Sequence, residues 1–168
     1  LNWKSSVMNW PGSEIVIHLL LKTIEKAVEV CNEKGIKVEF VFFHCPAWAS
    51  ESGKAGGFKP KKDLFQGYVT RIATHFKGRV DAYQLSHESN LQGLMNGADI
   101  DFIMNDILIA GAQAVRTVYQ QEPATSVIVS TNGMSPCENC PVTKGLSGKG
   151  GFAVDQFYSL MVSNPKLM

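Results

Sequence analysis

The chain has 168 residues, 45% of them hydrophobic, and a formal net charge of +1. A chain of that size buries a core of its own and is expected to form one domain. Near-neutral charge removes the electrostatic case for nucleic acid or an anionic membrane surface, and the longest apolar run, residues 15–21, is interrupted by His18 and far too short to span a bilayer.

Residues 13–34 read as a helix. Ser13 is a candidate N-cap, Val16, Leu20, Ile24, Ala27 and Cys31 recur at helical spacing, and Gly35 ends the pattern. Residues 36–43 follow as a strand, rich in β-branched and aromatic side chains, and run out into His44-Cys45-Pro46-Ala47-Trp48 and a long Gly/Ser/Lys loop to Pro60. The cycle then repeats. Residues 64–76 are predicted helical, Gly78 breaks the helix, and residues 80–85 form a strand that leads into His87-Glu88-Ser89-Asn90. Ile100, Ile103, Ile107, Ala110, Ala114 and Val118 make a helical stripe over 100–121; residues 126–131 are the third strand, ending at Asn132-Gly133. A polar loop leads to a last helix over 152–162.

Near-continuously apolar strands separated by amphipathic helices predict an α/β protein with a parallel sheet covered on both faces. Two architectures fit, an open doubly wound sheet and part of a (β/α)8 barrel. No G-x-G-x-x-G or G-x-x-x-x-G-K-[ST] turn follows any strand, and the Gly148, Gly150, Gly151 cluster comes only after a long loop, which favours the barrel. All three strands run into long loops with polar or aromatic residues at their C-terminal ends, as an active-site face does.

Four cysteines are present. Cys31 lies in a helical pattern and Cys45 just after a strand, while Cys137 and Cys140 form a Cys-Glu-Asn-Cys loop. A lone CxxC is compatible with a redox pair, half a zinc site or a local disulfide. Pro136 and Pro141 bracket it and favour a turn, hence a loop disulfide or inert thiols; no second CxxC or HxxxH completes a metal site. The pattern calls for no metal and no cofactor.

The segment Leu85-Ser86-His87-Glu88-Ser89-Asn90 resembles the fourth-strand exit of clan-A (β/α)8-barrel glycoside hydrolases, where Asn-Glu-Pro-Asn carries the catalytic acid/base. Phe42-Phe43-His44-Cys45-Pro46-Ala47-Trp48 is similar to the third-strand exit of the same enzymes, with family 39 and its relatives nearest. The resemblance implies a retaining enzyme acting on O-glycosidic bonds of a poly- or oligosaccharide, with Glu88 as general acid/base. It implies His87 in the place of the Asn that binds the sugar 2-hydroxyl, and Ser89 in the place of the Pro, at a cost in rigidity. It also implies a secreted location and a carbohydrate as the molecule bound; the oligomeric state stays open.

The chemistry agrees with that register. A general acid must protonate a departing glycosidic oxygen near neutral pH, which a partly apolar setting at a strand exit favours. The alternative for Glu88 is a carboxylate that caps a turn or pairs with a cation such as Arg79. Trp48 is the candidate sugar-stacking surface, against a plain core tryptophan, and His44 and Asn132 are candidate hydrogen-bonding groups at neighbouring strand exits. Trp3 and Trp10 lie where the register assigns nothing.

Glycoside hydrolysis takes two carboxyl groups, about 5 to 5.5 Å apart for retention and about 6.5 to 9.5 Å for inversion. Glu25, Glu29, Glu33, Asp99, Asp101 and Asp106 fall on or beside helices, and Glu51 and Glu138 in loops. A barrel typically takes about 250 residues, so the resemblance implies the middle of a larger barrel, from second strand to fifth helix, with the nucleophile outside it. The competing functions are a non-catalytic carbohydrate-binding barrel and a small α/β domain that binds a nucleotide or phosphate.

Overall fold

The structure, a computed structural model, describes residues 13–55, 57–91, 93–120, 126–135, 158–159 and 161–164. The chain divides into two compact units, Leu1–Val38 and Glu39–Met168.

The first unit holds α1 (Ser13–Glu33). Gly35 takes φ +67°, and the turn closes when the Ile36 N–H donates to the Cys31 carbonyl at 2.9 Å. A residue in the left-handed region just past a helix is the usual way of satisfying its last carbonyls. Ile36 is thereby taken up by the helix end, although the sequence assigns it to the first strand.

The second unit is built on β1 (Glu39–Val41), β2 (Ala82–His87) and β3 (Ile128–Gly133), parallel and in the order β1-β2-β3. All three strands start later than the sequence predicts, and β2 and β3 run two residues further. The register explains the extension. Ala82 pairs with Ile128 and His87 with Gly133, and the ladder continues as the Glu88 N–H donates to the Gly133 carbonyl at 2.8 Å. Asn132 and Gly133, read as loop residues from the sequence, therefore belong to the strand.

Residues paired in a parallel ladder share a face of the sheet, and that face alternates along each strand. Phe40, Tyr83 and Leu85 lie on one face, where Tyr83 and Leu85 are fully buried. Against it pack α2 (Lys62–His75) and a continuous helix of three parts: α3 (Ile100–Phe102), a π-helical segment (Ile103–Ile109) and α4 (Ala110–Tyr119). The Asp99 carboxylate caps the start of that helix, accepting from the Phe102 N–H at 2.8 Å. Ile103, Ile107, Ala110, Ala114 and Val118 of the predicted stripe are all buried.

Rings fill the layer between sheet and helices. Phe42 stacks on Tyr83 at 6.2 Å and meets Phe65 edge-on at 6.0 Å. Gly111 allows α4 to close on β2, because a Cβ there would sit 2.8 Å from Leu85 Cδ2 and 3.2 Å from Phe65 Cε1.

The opposite face holds Glu39, Val41, Ala82, Gln84, Ile128 and Ser130. It is open: Val41 is 41% and Ile128 67% exposed. The described helices of this unit lie on the Tyr83–Leu85 side. The architecture is α/β with a parallel sheet. Of the predicted last helix, residues 158–159 and 161–162 are helical and the others lie outside the described residues.

Tyr83 and Tyr119 bring their hydroxyls to 3.5 Å inside the core. Burial, aided by that hydrogen bond, pushes the Tyr83 phenol well above its ordinary value of 10.0. The folded chain thus holds Tyr83 neutral at a pH where the unfolded chain ionises it. Its contribution is complete below about pH 10 and is lost as pH rises further. Between about pH 8 and pH 11 the unfolding temperature is expected to fall less steeply in Tyr83→Phe than in the native protein. Parallel slopes would show that Tyr83 does not govern alkaline stability.

Candidate active site

The site grows from the C-terminal ends of the strands. Past β1 the chain passes Phe43 and then His44, which adopts φ +61°, a region that side-chain-bearing residues seldom enter. A short 3-10 helix, Ala47–Ala49, then presents Trp48, which is 44% exposed and is therefore not a core tryptophan.

Backbone bonds tie this loop down. The Cys45 N–H and thiol both donate to the Gly57 carbonyl (3.1 and 3.5 Å), and the Lys61 N–H donates to Ala49 O at 2.7 Å. The Phe58 N–H donates to Leu94 O at 2.7 Å, joining the β1 loop to the loop after β2. Cys45 and Cys31 are free thiols, and burial pushes the Cys45 thiol up, so it stays protonated and inert. Cys137 and Cys140 lie outside the described residues.

At the β2 exit His87 is exposed, with its ring edge-on to Phe43 at 5.3 Å; Phe43 also carries the His44 ring at 3.9 Å. Phe43 thus brings the two histidines together, a role its place in an apolar strand did not signal. Glu88 follows, half-buried, with φ +46°. Its carbonyl accepts from the Leu91 N–H at 2.9 Å, so the chain turns sharply just after the carboxylate.

Below the turn runs a buried polar network. The Ser89 hydroxyl donates to Ser86 Oγ at 2.6 Å, and Ser86 in turn points its hydroxyl at Met95 Sδ at 3.9 Å. Asn90 accepts from the Ser135 N–H through Oδ1 at 3.1 Å and donates from Nδ2 to the Ser135 carbonyl at 3.0 Å. Ser86, Ser89, Asn90 and Ser135 are all buried. Ser89 stands where the resembled enzymes have proline, and its hydroxyl supplies a buried link across the turn.

Arg79 does not neutralise Glu88. It precedes β2, at the other end of the strand, where its guanidinium donates to His75 O at 2.6 Å and stacks on Phe76 at 5.1 Å. The second carboxylate is not on a described strand exit. Glu39 pairs with Ala82, six residues before Glu88, which a strand rise of about 3.3 Å per residue puts about 20 Å away. Asp106 pairs with Lys62 at 2.8 Å, Asp99 caps its helix, and Glu51 is an exposed loop residue. The backbone of Asn132 pairs with Ser86, while its side chain lies outside the described residues, as do Trp3, Trp10 and Glu138.

Among the described residues no group of three or more His, Cys, Asp or Glu side chains could hold a metal ion, and no helix is long and apolar enough to cross a membrane. Fold and site together define an α/β protein whose parallel strands, among the described residues, present one carboxylate and two imidazoles at or just past their C-terminal ends. No protein-family model matches the chain, and no curated protein matches it.

Proposed function

We propose that the protein is a retaining glycoside hydrolase built on a (β/α)8 barrel, with Glu88 as general acid/base. The observation that carries this reading is Glu88 itself: a half-buried carboxylate on the exit of the central strand, held at φ +46° and next in the chain to His87, whose ring meets Phe43. Backbone strain of this kind persists where a site needs a side chain aimed in one direction. Helices packed on the Tyr83–Leu85 face of a parallel sheet fit a barrel, whose other face is its interior.

In this reading Glu88 first protonates the departing glycosidic oxygen while a second carboxylate, supplied elsewhere in the protein, attacks the anomeric carbon. Glu88 then takes a proton from the water that releases the sugar. His87 and His44 hydrogen-bond sugar hydroxyls, and Trp48 stacks on a pyranose face. Secretion fits such an enzyme.

The test is release of reducing ends from a panel of β-glucan, mannan and xylan by the full-length protein. Release that persists in Glu88→Gln, or no release from any of them, would count against it. Trp48→Ala is expected to weaken oligosaccharide binding by about 1 kcal/mol while leaving the unfolding temperature nearly unchanged. An unaltered binding isotherm would remove Trp48 from the site.

A non-catalytic carbohydrate-binding barrel is favoured by one observation: Glu88 is the sole carboxylate on a strand exit among the described residues. Saccharide binding indifferent to Glu88→Gln, with no turnover in either form, would support it.

A further inference from the structure

We infer that Asn90 is a positioning residue for Glu88, acting with the Ser86–Ser89 hydroxyl pair; the inference rests on the reading of Glu88 as the acid/base. A residue with a Cβ in the left-handed region sits above its relaxed conformation and swings back unless its neighbours over-determine it. At Glu88 those neighbours are identifiable. Before it, Ser86 is in the ladder opposite Asn132, and the Glu88 N–H is held by the Gly133 carbonyl at 2.8 Å. After it, Ser89 reaches back to Ser86 at 2.6 Å, which closes the turn on the side away from solvent. Asn90 then grips both the N–H and the carbonyl of Ser135.

Asn90 imitates a strand residue with its side chain. Its amide offers one donor and one acceptor to a single backbone unit, as a ladder partner would, and so prolongs the β2–β3 pairing past the point where the backbones part. The contact is fully buried, so losing it leaves the Ser135 N–H and carbonyl without their partner and away from water. The turn that carries Glu88 is thus fixed at two points, to the end of β3 at Gly133 and to the segment just past it at Ser135.

The mechanism has a consequence that general destabilisation lacks. A misplaced acid slows departure of a poor leaving group, which needs a proton, and spares a good one, which does not. In the full-length protein, Asn90→Ala is expected to lower kcat on phenyl glycosides of glucose, mannose or xylose by about 10- to 100-fold, with KM little changed. On the matching 2,4-dinitrophenyl glycosides kcat/KM is expected to stay within about threefold, since that leaving group needs no proton and kcat/KM is set before the base-assisted second half-reaction.

An activity-independent arm runs beside it. Amide hydrogen exchange over residues 86–91 and 133–135 is expected to quicken by about tenfold or more in Asn90→Ala, while Tyr83–Leu85 and 110–119 keep their protection. Asn90→Asp keeps the Oδ1 acceptor but sets an oxygen against the Ser135 carbonyl, and is expected to behave like Asn90→Ala in both arms.

Equal losses on good and poor leaving groups, or loosening spread evenly over the core, would reduce Asn90 to a structural residue. Unchanged exchange at Glu88 would overturn the inference outright. Failure of the acid/base reading looks different. Glu88→Gln would then keep wild-type turnover, or no glycoside would be cleaved, and the exchange arm would decide the anchoring alone.

Discussion

Glu88→Gln is expected to lower turnover of glycosides with poor leaving groups by about 10²- to 10⁴-fold, the usual worth of a positioned general acid. At 1.36 kcal/mol per decade this is about 3 to 5 kcal/mol of barrier. The amide keeps the size and the hydrogen-bonding outline of the carboxyl but has no proton of the right acidity to give. Binding of the intact oligosaccharide should survive. So should the fold, because what holds the turn is the Glu88 backbone, bonded to Gly133 and Leu91, rather than its carboxylate. Glu88→Ala adds a second readout. Its loss of the base in the second half-reaction is bypassed by azide, which attacks the glycosyl intermediate without giving up a proton. Recovery of dinitrophenyl glycoside turnover by azide, with a glycosyl azide as product, would identify Glu88 as the acid/base. Absence of any rate difference between leaving groups would remove it.

The largest expected loss of stability is at Gly111. In Gly111→Val the Cβ would come within 2.8 Å of Leu85 Cδ2 and 3.2 Å of Phe65 Cε1, with two methyl groups still to place. Both neighbours are buried, Leu85 completely, so neither can move aside into solvent. Overpacking of this kind costs about 1 to 3 kcal/mol, which at about 2 to 4 °C per kcal/mol for a chain of this length lowers the unfolding temperature by about 2 to 12 °C. Leu85→Ala in the same chain vacates the contested volume, so the two losses should be less than additive. An unfolding temperature unmoved by Gly111→Val would mean that α4 does not rest on β2 at this distance.

The helices were legible because their signal is local. The stripe from Ile103 to Val118 repeats at the helical period, and the structure buries it as that period requires. The sequence of alternating strands and helices was legible for the same reason. Strand limits were not, because pairing decides them: Asn132 and Gly133 have turn-like composition, yet β2 holds them in the ladder. The exposure of Val41 and Ile128 was hidden too, since neither carries a mark of which side it faces. At the site, Glu88 and its exit position could be read from the strand that precedes it. The Asn90–Ser135 grip could not, because 45 residues separate its halves and neither belongs to a periodic pattern. The Ser89–Ser86 link is hidden for a related reason: its partner lies three residues back, on a part of β2 that only the pairing with β3 defines.

His44 and Glu88 both hold left-handed backbone although neither is glycine or asparagine. Such positions cost about 1 kcal/mol each relative to a residue that adopts them freely. Variation selected for heat resistance alone would therefore tend to exchange them for glycine or asparagine. On the proposed function, histidine and glutamate at these positions forgo that stability for the chemistry their side chains supply. Thermal robustness and activity then pull on the same two codons in opposite directions.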